Sequence, residues 1–172
     1  RSGRARPGIE ALFEVAGKDH RLATASDLGF IVGPRLNAAG RLDDMSVGIE
    51  CLLADSTASA RAKAENLHAL NRERRDIEQS MQTDAVAQLD ALNLDQADLP
   101  FAMTLYDQNW HQGVIGILAS RIRERVYRPT LIFADSDEGM LKASGRSIPG
   151  LHLRDALDQV AARHPGLLTK FG

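Results

Sequence analysis

Apolar residues recur at helical spacing through IEALFEVA (9–16), and Gly17 follows as a C-cap. A second helix is expected through LGFIV, with Ser26-Asp27 as its cap. Pro34 comes just after it. Proline is tolerated in a helix's first turn, so a fresh helix starting near Pro34 is the alternative. SVGIECLLA (46–54) predicts a further helix, with Ser46 as its cap. From Ser56 to about Leu92 neither Gly nor Pro occurs, and good helix formers dominate. Within that run Leu67, Leu70, Ile77, Met81, Ala85 and Leu89 make one apolar stripe. The helix it predicts is roughly 50 Å long. Its middle, NRERRDIEQ, is too polar to be buried on all sides. Such a helix either bridges two lobes or packs in a bundle with one solvated face.

Past LNLDQADLP the period changes. FAMTLYD (101–107) and TLIFAD (130–135) are short and rich in β-branched and aromatic residues, as strands are. Between them QGVIGILASRIRERV has helical periodicity, with a start near Gly113. MLKASGRS (140–147) predicts a third strand, entered through the turn DSDEG, and LHLRDALDQVAARH (151–164) an amphipathic helix. The order strand, helix, strand, strand, helix indicates a small α/β lobe. The expected fold class is therefore α/β, in an α+β-like two-lobe arrangement. Its parts are a helical lobe (1–55), a long connecting helix (56–95) and an α/β lobe (96–172). The opening RSGRARP reads as a linker-like end. The first residue is Arg rather than Met, so the chain reads as a piece of a longer protein.

Composition narrows the functional classes. With 172 residues, 44% hydrophobic and 26% charged, the chain can build a soluble core. A net charge of −2 does not favour nucleic acid as a whole, so any such role rests on local patches. The single cysteine, Cys51, sits in an apolar run and reads as a buried inert thiol. That fits a reducing cytosol. No apolar run approaches the ~20 residues that span a membrane.

Three polar stretches carry candidate chemistry. GPRLNAAGRLDD (33–44) holds Arg35, Asn37 and Arg41. On a continuous helix the two arginines face different ways, but a helix broken at Gly40 would let both guanidiniums converge on one phosphate. The alternative is that Arg41 pairs with Asp43 or Asp44 at a helix end. In WHQGVIGI (110–117), His111 precedes a helix start whose free N–H groups favour an anion. It either donates there to a phosphate or a bound carboxylate, or it caps the helix or packs beside Trp110. KASGRSIPGLHLR (142–154) contains Lys142, Ser144, Arg146, Ser147, His152 and Arg154 and no acid. Along a strand Ser144 and Arg146 share a face, which suits a phosphate clamp, while a merely solvated face is the alternative. No phosphate-cradling P-loop, dinucleotide fingerprint or nucleophile elbow is present, and no side-chain set has metal-ligand spacing. On spacing alone the chain binds anions at most.

Taken together and in this order, GPRLNAAGRLDD, the long helix, WHQGVIGILASRI and SGRSIPGLHLRDAL resemble the RecJ family. These are single-strand-specific DNA exonucleases of the wider DHH phosphoesterase superfamily. The resemblance covers about Gly8 to Gly172. It implies the helical end of a DHH domain, a connecting helix and a DHH-associated α/β domain. It further implies 5′-to-3′ hydrolysis of single-stranded DNA in repair and recombination by the intact enzyme, with Mn²⁺ or Mg²⁺. The metal ligands of the family lie upstream, so this chain alone is expected to hold no metal and to be inactive. By resemblance Arg35, Asn37 and Arg41 face the scissile phosphates, and Ser144 and Arg146, joined by Ser147, hold a DNA phosphate. His111 and its turn shape a wall between the lobes. Pro149, after SGRS, departs from the pattern, with an open consequence for strand pairing. Single-stranded DNA is the expected partner, a single-strand-binding protein or helicase a candidate one, and the cytoplasm the expected compartment. The competing readings are a phosphoesterase of small nucleotides or oligonucleotides and a non-catalytic single-strand-binding module.

Overall fold

The computed structural model describes residues 5–91, 99–136 and 139–172. The chain forms two compact units, Arg1–Ile77 and Glu78–Gly172.

In the first unit, α1 spans Pro7–Glu14. It ends as predicted at Gly17, whose φ is +69°. The Gly17 N–H donates to the Glu14 carbonyl (2.8 Å) and that of Lys18 to Phe13 (3.0 Å), a Schellman termination. After a 3₁₀ turn (His20–Leu22), α2 opens at Ala25–Asp27. Its cap is Thr24, two residues before the pair read from the sequence. The Asp27 carboxylate accepts from the Thr24 N–H (2.8 Å), and Asp27 N–H donates back to the Thr24 hydroxyl (3.3 Å), a capping box.

Both sequence alternatives for the next stretch hold in part. The chain continues helically through LGFIV, but as a π-turn (Leu28–Val32), and α3 then runs Gly33–Leu42 with Pro34 in its first turn. Proline has no N–H for the carbonyl four residues back. Widening to a π-turn resolves this, and Gly33 N–H bonds the Leu28 carbonyl instead. Gly40 does not break the helix. Its open side faces the Met45 side chain, with Sδ 3.4 Å from where a Cβ would stand. α4 spans Ser46–Leu53. Asp44, not Ser46, serves its start, accepting the Ser46 N–H at 2.8 Å.

The long helix, α5, spans Thr57–Ala91, and the boundary between the units falls within it. Leu92, the end expected for this helix, and the segment to Asp98 lie outside the described residues. In the first unit Ala60, Ala64 and Leu67 of α5 pack with Leu12, Phe13 and Cys51. The stripe continues into Asn71, which is buried although polar. Burial also raises the Cys51 thiol pKa, consistent with an inert thiol.

The second unit holds a three-stranded sheet in the order β1-β2-β3. β1 (Met103–Tyr106) pairs parallel with β2 (Thr130–Asp135), and β2 antiparallel with β3 (Leu141–Arg146). The parallel pair requires a crossover, and α6 (Ile115–Val126) supplies it. Leu118 and Ile122 of α6 are buried with Met103, Leu105 and Ile132 of the sheet. The helix ends on Tyr127, left-handed at φ 52°. α7 spans Leu153–Arg163, capped by His152, whose Nδ1 accepts the Asp155 N–H at 3.4 Å. Two residues of the DSDEG turn, 137 and 138, lie outside the described residues. Pro149 leaves strand pairing intact, because the ladder already ends at Thr130 opposite Arg146. No helix among the described residues is long and apolar enough to cross a membrane.

Gly8 sets how closely α1 and α4 approach. A Cβ there would collide with the Cys51 carbonyl oxygen and stand 2.8 Å from its carbon, backbone atoms that cannot rotate away. Gly8→Ala is expected to destabilise the first unit by about 3 kcal/mol, read by urea denaturation. An unchanged midpoint would mean that the two helices do not meet at this point.

Candidate functional site

Two groups of polar side chains stand out, one in each unit. The second unit's group is built on β3. Lys142, Ser144 and Arg146 alternate along the strand opposite Ala134, Ile132 and Thr130. Directly paired residues share a face, so these three lie on the α6 side of the sheet. On the other side, Gly145 makes room for Leu153, whose Cδ2 occupies the space that a Cβ at that position would need.

The first turn of α6 meets this face at Gly116. A Cβ on Gly116 would stand 3.2 Å from Arg146 Nη2 and 3.3 Å from Ser144 Oγ. Arg146 is oriented by two neutral acceptors. Its Nε donates to Ser120 Oγ (2.9 Å) and its Nη1 to the Gly145 carbonyl (2.8 Å). The Ser120 hydroxyl in turn donates to the Gly116 carbonyl (3.2 Å). Among the described residues no carboxylate pairs with Arg146, and Ser144 Oγ has no hydrogen-bond partner. At the start of α6 the N–H of Ile117 reaches the Val114 carbonyl (2.9 Å), while those of Ile115 and Gly116 have no carbonyl partner among the described residues and no side chain caps them. A guanidinium edge, a hydroxyl and a helix start thus meet around Gly116. This set can bind a phosphate.

His111 stands on the turn before α6. Its Nδ1 accepts the Gly113 N–H at 3.0 Å. His111 therefore closes the turn ahead of α6 rather than capping the helix, and the same bond leaves the proton on Nε2 as a donor. Next to it Gln112 accepts from Lys142 Nζ at 3.2 Å. Ser147 is committed elsewhere. Its hydroxyl bonds the Leu151 carbonyl and closes the turn after β3, so it does not join Ser144 and Arg146. The reason is position: Ser147 lies one residue past the strand and off its alternation.

In the first unit the continuous α3 separates Arg35 from Arg41. Six residues place them about 120° apart around the axis, so they do not converge. Asn37 and Arg41 are exposed, and Arg41 lies in the last turn, where a cation suits the helix end. Arg35 is 7% exposed. Its Nη1 donates to the Ile31 carbonyl (2.7 Å), while Nε (3.3 Å) and Nη2 (3.1 Å) both reach His68 Nδ1. Burial, then the charge of Arg75, lowers the Arg35 pKa. His68 is pushed below its ordinary 6.5 by burial first, then by Arg35, Arg72 and Arg75. Sequence reasoning did not single out His68, Arg72 or Arg75. The available signal was their spacing, 68, 72 and 75, which puts them on one face of α5.

Among the described residues no three His, Cys, Asp or Glu side chains are grouped to hold a metal ion. The donor set needed for Mn²⁺ or Mg²⁺ is thus not met by these residues.

Comparison with known proteins bears on both groups. Residues 98–172 match the DHHA1 domain family. Over 172 residues the chain is 55% identical to the single-stranded-DNA-specific exonuclease RecJ of Dickeya dadantii, covering all of this chain and 30% of that protein. It is 54% identical to that of Escherichia coli, with the same coverage of 100% and 30%. The crystal structure of RecJ in complex with Mg²⁺ from Thermus thermophilus superposes with a TM-score of 0.80 at 31% identity, covering 98% of this chain and 24% of that one. A crystal structure of exonuclease RecJ bound to manganese gives 0.73 at 32% identity, over 88% and 36%. The chain spans 30% of the length of the first two relatives.

The bond from Gly113 to His111 predicts the tautomer. Nitrogen-15 NMR of the imidazoles is expected to show neutral His111 as the Nε2–H form. A dominant Nδ1–H form would mean that this bond does not exist in solution.

Proposed function

We propose that this chain, which belongs to the RecJ family, supplies phosphate contacts to a 5′-to-3′ single-stranded-DNA exonuclease acting in DNA repair and recombination. One observation carries the reading. Ser144 and Arg146 share a face of β3 and meet the start of α6 over Gly116, with the Arg146 charge left unpaired by any carboxylate among the described residues. Such a set grips a phosphate and ignores the base, which suits an enzyme that must accept every sequence. His111 Nε2–H is a further donor on the turn leading into α6. In the first unit Arg35, Asn37 and Arg41 belong to the nucleic-acid contacts as well, Arg35 from a buried position and the other two from the surface.

Hydrolysis belongs to the intact enzyme, with Mn²⁺ or Mg²⁺ held by residues other than those described here. What this chain's own residues do is bind and orient the strand. A single-strand-binding protein or a helicase is the candidate protein partner, and the cytoplasm the compartment.

In the intact protein Arg146→Ala is expected to weaken binding to a 5′-phosphorylated single strand by about tenfold, the scale of one charge-assisted hydrogen bond. The slope of log affinity against log salt should fall by about 0.7, the value for one phosphate contact on a single strand. Unchanged affinity and slope would remove Arg146 from the interface. The 172-residue chain alone, purified free of nucleases and given Mn²⁺, is expected to release no nucleotides from labelled single strands. Metal-dependent cleavage by that chain would place the chemistry within it.

A further inference from the structure

Arg35 raises an electrostatic problem that its hydrogen bonds do not solve. A buried guanidinium costs free energy unless a counter-charge compensates it. Its partners are a carbonyl and an imidazole, both neutral. The charges acting on this pair make the imbalance worse. Arg72 and Arg75 lie on the same α5 face as His68, and both act on the imidazole as positive charges. Both are exposed, and neither forms an ion pair among the described residues. Glu73 and Asp76 of the same helix are exposed and pair with none of the four. Three cations therefore surround one imidazole with no carboxylate among them.

We infer that His68 is a positioning residue whose neutral imidazole holds Arg35 at an anion site completed by Arg72 and Arg75, and that the anion is a backbone phosphate of the bound strand. The inference deepens the nucleic-acid reading and rests on it.

The geometry requires the neutral form of His68. Both Arg35 nitrogens point at the Nδ1 lone pair, and an imidazolium has none. Protonation replaces the acceptor with a fourth positive group and pushes Arg35 away. The groups bearing on His68 are Arg35 from α3 and Arg72 and Arg75 from its own helix, and all three disfavour the proton. The folded pKa is therefore below 6.5, and the imidazole remains an acceptor at neutral pH. As pH falls through that lowered pKa, the Arg35 contact is lost and binding weakens. A carboxylate in the place of His68 would hold Arg35 as firmly but would neutralise it. The imidazole orients the charge and leaves it available to the ligand.

The test uses the intact protein and a 5′-hydroxyl oligothymidylate, which has no terminal phosphate to titrate. Arg72→Ala and Arg75→Ala are surface changes, so folding is not at issue. Each is expected to weaken binding by about fivefold and to lower the salt slope by about 0.7. His68→Ala should weaken binding similarly at pH 7.5. His68→Gln, which keeps a neutral acceptor, should restore most of that affinity and flatten the loss seen in the wild type between pH 7 and 5. The inference is overturned if both arginine variants bind with wild-type affinity and slope. It is equally overturned if His68→Gln and the wild type share one pH profile. If Arg146→Ala alone lowers the salt slope, the nucleic-acid reading stands and this site fails. If none of the three arginines matters, both fall.

Discussion

Arg35 and Arg146 are each held by neutral acceptors, and the chemistry of each unit depends on that choice. Arg146 leans on Ser120 Oγ and the Gly145 carbonyl, and Arg35 on His68 Nδ1 and the Ile31 carbonyl. A carboxylate would orient either guanidinium more strongly, through a charge-assisted pair. It would also cancel the charge that an anionic ligand needs. Elsewhere the chain does use such pairs. Arg61 joins Glu14 and Glu65 at 2.9 and 3.0 Å, and Arg125 joins Asp90 at 3.0 Å, all on exposed surface. Those arginines are committed to local contacts of small worth. Arg35 and Arg146 are oriented without being neutralised.

The backbone must be arranged to allow this. In the second unit the parallel pairing of β1 with β2 forces a crossover, and the crossover brings the start of α6 over β3. Gly116 then decides how near the helix comes. With a side chain at that position, Arg146 Nη2 and Ser144 Oγ would have to yield by a few tenths of an ångström. In the first unit the arrangement comes from a helix defect. Pro34 cannot complete the ladder of the preceding turn, and the chain widens into a π-turn just ahead of Arg35. The Arg35 side chain folds back onto the Ile31 carbonyl within that turn, which satisfies one edge of the guanidinium without a charge.

Much of this was legible from residue order. TLIFAD is β2 residue for residue, and the glycine-free run from Ser56 is α5 within a residue at its start, because β-branched and helix-favouring compositions act locally. Gly17 was legible for the same reason: a left-handed cap admits few alternatives. The face shared by Ser144 and Arg146 followed from strand alternation alone. Three things were not legible. The π-turn required weighing Pro34 against a helix that tertiary contacts keep going. Gly40 reads as a breaker, but it lies within α3 with the Met45 side chain against its open side. Ser147 sits among phosphate-suited residues and is taken by a turn whose closure no spacing rule announces.

The partner of Arg35 was the least legible of all, and the reason is general. His68 lies 33 residues away, in a segment whose polar composition reads as a solvated face. Its neighbours Asn71, Arg72 and Arg75 read the same way, yet Asn71 is buried and continues the stripe of Ala60, Ala64 and Leu67. A polar residue at an apolar register position is a sign that the face it belongs to has other work than packing. Helical register, applied to the whole of NRERR rather than to its apolar positions, puts Arg72 and Arg75 on the side of His68. The pattern of hydrophobic residues locates the helix. The polar residues that keep its phase locate the charge.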